Sequence, residues 1–452
     1  REYLRKTVKD PAERFGYAAV DDMMLPRVPE GKLTKDEVKD PIVQAWFEWR
    51  REKMNGVLSR LHDHIKSVKA DAIVSGNPSP YRMRGMQLAR GEDMVEVARY
   101  FDFIIMQTGC APEMRANGEV VTRIRELKFA QDYGPMIVAL CDADAKDFGG
   151  GALGFLLPMV EDIVFGGIPT DRTILAPTRE PGFVDSRRFA FRKPLHAKFN
   201  AFAEAHRAEL TAPTVRSVRI FYPEREVLYS EKAQQNLLAA EEILIRNRVP
   251  FGYLIATPDG VPAVPPETEV LVLPGLVALS DAQVAAIDAY AKAGGRLVVT
   301  GEAGRYDGTN AERFEDPLVH LKRLPNVVWR EKADFSGEAR YAWTSKIPAP
   351  KDGGKALMAD LEKAGYRPPV VLEGLPAHVA AEYRRLPDGG LAVHLVNYDI
   401  RRPVANARLV LKSGRTATVE TPFEDNPVRA ALSADGALPS FGLYELIVVR
   451  GN

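Results

Sequence analysis

Residues 269–307 hold the segment that most restricts how this chain can fold. A buried strand, Val270-Leu271-Val272-Leu273, is followed by an amphipathic helix, a Gly294-Gly295 stop and a second strand, Arg296-Leu297-Val298-Val299-Thr300-Gly301. Ser280 is a good N-cap, and Val284, Ile287, Tyr290 and Ala291 recur at helical spacing, which gives the helix one face to lay on a sheet. The glycines after Lys292 let the chain leave through a left-handed turn. This is a βαβ unit, and it calls for a parallel sheet covered by helices. Any doubly wound domain could contain one, so the neighbouring segments decide its setting.

Residues 1–210 repeat the alternation. Strands are expected at 16–22, 71–75, 101–107, 136–141 and 173–176, with helices at 41–68, 120–132, 153–165 and 188–210. Five βα units in a row indicate a parallel α/β fold, which an open doubly wound sheet and a (β/α)8 barrel satisfy equally. Residues 214–330 place strands at 215–222, 251–254 and 326–329 and a helix at 230–247 around the opening unit, in flavodoxin-like order. From 371 the period shortens, and segments at 380–384, 391–397, 407–411, 416–420 and 442–449 alternate between Gly, Pro and Asn/Asp turns, as in a small antiparallel β-sandwich. Between them, 331–370 reads as a linker region with a helix at 356–364.

Composition narrows the function classes. The 452 residues suit about three domains at ~150 residues each. Lys+Arg and Asp+Glu both number 61, so no net field recruits nucleic acid or an anionic membrane, and a neutral ligand fits better. No apolar run reaches the ~20 residues that span a bilayer, and Cys110 and Cys141 read as buried small hydrophobes. The expectation is a soluble protein, for which a periplasmic or extracellular setting is open. The chain opens at Arg1 without Met, which reads as a processed, trimmed or partial sequence.

Cofactor signals are weak. Gly149-Gly150-Gly151-Ala152-Leu153-Gly154 starts several residues past its strand, so it reads as a flexible loop rather than a dinucleotide turn. The seven histidines are scattered, and His62 and His64, two apart on a helix, face different directions. No cofactor and no metal are expected. The absence of any cysteine after Cys141 excludes amidotransferase chemistry from 214–330.

Several words of this sequence resemble the β-galactosidases of glycoside hydrolase family 42 and related glycosyl hydrolases. They are Leu273-Pro274-Gly275, Leu279-Ser280-Asp281, Tyr290 with Gly294-Gly295, and Thr300-Gly301. Gly16-Tyr17-Ala18-Ala19-Val20-Asp21-Asp22, Trp46-Phe47-Glu48-Trp49-Arg50 and Ala72-Ile73-Val74-Ser75-Gly76-Asn77 resemble the middle of the catalytic barrel, and Val393-His394-Leu395-Val396-Asn397-Tyr398 with Tyr444-Glu445-Leu446-Ile447-Val448-Val449 the C-terminal β-domain. The resemblance implies a partial TIM barrel over 1–212, holding strands four to eight and lacking one to three. It further implies a trimerisation-like, flavodoxin-like domain over 213–330 and a β-domain over 371–452. An N-terminally incomplete sequence, a carbohydrate substrate and a homo-oligomer, a trimer, follow as expectations.

In a parallel barrel, active-site groups stand at the carboxyl ends of the strands, and glycoside hydrolysis needs two carboxyl groups flanking the scissile bond. Asp21 and Asp22 end the first expected strand, and alternation lets only one face the site. Asp142 is the preferred partner, with Asp144 behind it. The resemblance implies Glu at the ends of strands four and seven, and here the residues are Asp. Gln107 and Asn77 are candidates for binding sugar hydroxyls, and Trp46 or Trp49 for stacking on a ring, although ordinary turn chemistry also accounts for Asn77 and core packing of the helix is the stronger reading of the tryptophans. Glu48 and Glu113 rank below the aspartates. Two readings follow: a glycosidase using aspartate carboxyls, or a non-catalytic carbohydrate-binding or assembly protein of the same architecture.

Overall fold

The computed structural model describes residues 1–24, 37–78, 84–108, 112–115, 118, 120–134, 136–141, 151–171, 192–257, 260–332, 339–340, 346–347, 352, 354–411 and 414–451. The chain starts with helices α1 (Glu2–Thr7) and α2 (Pro11–Phe15). Asp10 caps α2 by accepting the Ala12 and Glu13 amides, Pro11 fits the first turn, and Gly16 ends the helix in the left-handed region at φ 73°. Residues 16–22 are therefore not a strand. They run from the α2 cap into a 3-10 turn at Val20–Asp22. Leu4, Phe15, Val20 and Met23 pack together with Ala45 of the long helix α3 (Pro41–Val68), which spans the expected range.

A parallel α/β segment follows. Its elements are β1 (Ser75–Gly76), α4 (Arg84–Arg90), α5 (Met94–Val97), β2 (Phe103–Thr108), a hairpin of β3 (Glu113–Met114) and β4 (Val120–Val121), α6 (Ile124–Tyr133), β5 (Met136–Cys141), α7 (Gly151–Val164), β6 (Ile168–Asp171), α8 (Arg192–Ala205) and α9 (Arg207–Thr211). The sheet order is β1-β2-β5-β6, all parallel. The strand expected at 71–75 shrinks to two paired residues, because the Asp102 carboxylate takes the Val74 amide at 2.8 Å. The strand expected at 173–176 lies outside the described residues, and the observed one, β6, precedes it.

The second sheet is built from β7 (Val218–Pro223), α10 (Glu224–Tyr229), α11 (Glu231–Arg246), β8 (Phe251–Ala256), β9 (Val270–Pro274), α12 (Asp281–Lys292), β10 (Leu297–Thr300) and β11 (Val327–Arg330). Its order, β11-β10-β9-β7-β8 with every pair parallel, is the flavodoxin-like one. Ser280 and Gln283 close a reciprocal capping box on α12. A small pair, β12 (Ala339–Arg340) with β13 (Lys346–Ile347), and helix α13 (Lys355–Lys363) lead to the last region.

There, β15 (Val379–Arg385), β16 (Leu391–Asn397), β18 (Arg415–Glu420), β19 (Arg429–Ala431) and β20 (Tyr444–Gly451) form an antiparallel sheet in the order β15-β16-β20-β18-β19, and β14 (Val371–Glu373) pairs with β17 (Arg408–Val410). Alternation along β20 splits its side chains between two cores. Tyr444, Leu446 and Val448 join the large core shared with β2, β5 and β7–β10, whereas Ile447 and Val449 face a second core with Leu409, Val404 and Phe441.

Candidate functional site

In parallel α/β architectures, ligand sites form beyond the carboxyl ends of the strands, where helices do not cover the edge. Two such edges exist here. In the four-stranded sheet, Thr108 pairs with Cys141 and Cys141 with Asp171, so three strand ends stand in one line. At the ~4.8 Å spacing of paired strands this line is about 10 Å wide. Ile104, Met106, Ile137 and Ala139 fill the sheet below it, all buried.

The sequence candidates distribute unevenly around this edge. Asp142 and Asp144 lie outside the described residues; Cys141, just before Asp142, closes β5 at the line. Gln107 is one residue from the end of β2, opposite Leu140. Asn77 directly follows β1 and is exposed. Asp21 and Asp22 are exposed in the 3-10 turn rather than at a strand end, and Asp21 pairs with Arg5 of α1. No hydrogen bond or ion pair among the described residues ties either aspartate to the sheet edge. Trp46 and Trp49 do meet, with Tyr3, Met23 and Ile42, around an apolar pocket of ≈250 Å³ between the N-terminal helices and α3. The Arg50 guanidinium lies 4.6 Å from the Trp46 ring centre. Sequence reasoning missed Asp171, the acidic residue in line with Cys141; its signal was the Thr170-Asp171 pair closing a short segment after Gly166-Gly167.

The second edge, at the switch point between β7 and β9, is closed. Glu224 follows β7 directly and is buried beside Asp93, and Asn236 donates to the Gly275 carbonyl after β9 at 3.0 Å. Helix α3 fills the rest of the crevice: Glu48 accepts from the Tyr229 hydroxyl at 2.5 Å and pairs with Arg51 at 3.0 Å and Arg225 at 3.1 Å, while Arg51 reaches Asp93 at 2.8 Å. Burial, then the neighbouring Asp93 carboxyl, pushes Glu224 well above the carboxylate range. Burial alone would lower Arg51, but Glu48 and Asp93 hold it charged. Glu48 is thus a structural anchor.

A larger cleft of ≈630 Å³, lined by Gln131, Gly166, Arg216, Glu267, Arg384 and others, sits at the other end of the strands. Gly166 precedes β6 and Ser217 precedes β7, so this cleft marks amino ends, where parallel folds build stability rather than chemistry. Among the described residues, no group of three or more His, Cys, Asp or Glu is placed to hold a metal ion.

No protein family and no curated protein matches the sequence. Solved structures do match in fold. An exo-carrageenase of glycoside hydrolase family 42 from Bacteroides ovatus superposes with a TM-score of 0.68 at 11% identity over 100% of this chain and 62% of that enzyme's chain. The fold is shared with glycoside hydrolases. A family 42 β-galactosidase from G. stearothermophilus aligns at TM-score 0.64 and 12% identity, covering 100% of this chain and 75% of its own. An α-L-fucosidase from Paenibacillus thiaminolyticus aligns at TM-score 0.56 and 13% identity over 91% of this chain and 72% of its own. This chain therefore spans less than two thirds of the carrageenase.

Proposed function

We propose that the protein is a glycosidase, hydrolysing a glycosidic linkage at the carboxyl edge of the β1-β2-β5-β6 sheet, which we read as strands five to eight of a (β/α)8 barrel. The observation that supports this reading most is the line Thr108-Cys141-Asp171, in which Asp171 closes one strand beside Cys141, the residue that precedes Asp142 in sequence. Paired carboxyls at ~5 to 10 Å are what glycoside hydrolysis requires. The fold shared with carbohydrate-cleaving enzymes supports it further. Gln107 and Asn77 would then bind sugar hydroxyls. The exposed position of Asp21 and Asp22, away from a strand end, favours the non-catalytic carbohydrate-binding reading as the alternative.

A panel of aryl glycosides presented to the full-length protein tests the proposal. Asp142→Asn and Asp171→Asn should each lower turnover by on the order of a hundredfold with little change in Tm, since an isosteric amide cannot donate an acid proton. Unchanged turnover in both would leave the binding reading. The same assay on Asp21→Asn and Asp22→Asn decides whether their turn reaches the bond. For the assembly, we propose a closed three-fold ring, which light scattering at micromolar concentration checks; a monomer would refute it.

A further inference from the structure

The β3–β4 hairpin belongs to the connection that leaves the carboxyl end of β2 and re-enters the fold through α6. It is a two-stranded ribbon that, among the described residues, pairs with none of the parallel strands. Strands of two residues have little stability of their own, so the hairpin stands where its ties place it. Two of those ties come from the turn that follows β16 of the C-terminal sheet. The Met114 amide donates to the Tyr398 carbonyl at 3.1 Å, and the Arg401 guanidinium donates to the Met114 carbonyl at 3.0 Å.

The other end of the hairpin is clamped by the same turn. The Tyr398 hydroxyl donates to Glu161 Oε1 of α7 at 2.7 Å, and the Thr122 hydroxyl donates to the same oxygen. Arg123 bonds that carboxylate through its amide and its Nε, both at 2.9 Å, and reaches Asp162 at 2.7 Å. Burial, and then the Glu161 charge, raises the Tyr398 phenol well above its usual value, so it remains a donor. The turn is itself fixed: Asn397 accepts the Asp399 amide at 2.9 Å, and the buried Asp399 carboxylate holds Arg402 at 2.6 Å.

We propose that residues 398–402 are a positioning element of the substrate site, setting from the C-terminal sheet the pose of the β3–β4 hairpin, which carries Glu113, at the carboxyl edge of the parallel sheet. This rests on the glycosidase reading. Neither Tyr398 nor Arg401 touches the reacting bond; they act through Met114, Thr122 and Glu161.

The test uses the full-length protein, with Tyr398→Phe and Arg401→Ala made separately, and reads hydrogen exchange over 113–121 together with kcat and KM on the aryl glycoside that the wild type cleaves fastest. Removing one such hydrogen bond should speed hairpin exchange and raise KM by about tenfold at most, with kcat changed less. A wild type silent on every glycoside overturns the glycosidase reading. An active wild type whose variants keep both exchange and KM overturns the positioning role. Faster exchange with unchanged KM also overturns it, reducing the turn to a structural clasp. Arg401 is exposed, so Arg401→Ala keeps the test decisive if Tyr398→Phe folds poorly.

Discussion

Glu445 stands on β20 directly opposite Leu395 of β16, fully buried, on the face that also carries Ile447 and Val449. Neither of its carboxyl oxygens has a hydrogen-bond partner among the described residues. Burial alone pushes its pKa up to about 8. Because the folded value lies above the unfolded one, the folded state binds the extra proton. The associated stability is full below the ordinary carboxyl value and is lost as pH rises from there through about 8. Thermal melts should therefore show Tm falling between pH 5 and 8, and Glu445→Leu should flatten that fall and add on the order of 1–3 kcal/mol at the alkaline end. A pH profile identical to the wild type's would show that the carboxyl finds solvent or a partner. His394 is the converse case, buried, drawn down to about 3 and held neutral between the Tyr444 hydroxyl and the Glu209 carbonyl.

Helix α6 shows how an element can be misread. Its sequence, Ile124-Arg125-Glu126-Leu127-Lys128-Phe129-Ala130, looks like a surface helix with alternating charges, yet all seven residues are buried between the two parallel sheets and the C-terminal one. Arg125 is set against Glu241 and Glu242 of α11, and Lys128 against Glu382 of β15. Lys128→Met strands the Glu382 charge and should cost about 3–5 kcal/mol, whereas Lys128→Met with Glu382→Leu should recover most of it; denaturant midpoints of the three proteins check the pair. Additive losses would mean the two charges do not act together. What was legible in the sequence is what depends on local chemistry: the Ser280 N-cap of α12, the apolar runs of β7–β10 and the extent of α3. The misread strand at 16–22 also obeyed local rules, but an Asp10-Pro11 cap and a Gly16 stop outweighed an apolar run too short to pair. Buried charges such as Glu161 and Arg384 were not legible, because their partners lie far away in sequence. The carboxyl edge was legible through the ends of β2 and β5, while Asp171 was hidden by a strand boundary set a few residues late.

At the scale of the whole molecule, several of the exposed apolar side chains among the described residues lie along one helix. Val57 (51% exposed), Leu61 (53%) and Val68 (76%) line the outer face of α3, and Ile73 (74%) follows in the chain toward the short edge strand β1. An apolar stripe of this kind should bind a hydrophobic dye, and Val57→Lys with Leu61→Lys should weaken the signal without lowering Tm; a dye-silent wild type would refute it. Elsewhere the three sheets are joined by interior polar ties. Arg384 of β15 donates to the Ala212 carbonyl at 2.9 Å and to the Val164 carbonyl at 2.8 Å, alongside the Lys128–Glu382 pair and the Tyr398–Glu161 bond. Such a chain is not a string of interchangeable cassettes. Exchanging the C-terminal sheet for a foreign one would leave the buried Lys128 ammonium without Glu382 and the Glu161 carboxylate without Tyr398, so any such recombination must carry α6 and α7 along with it.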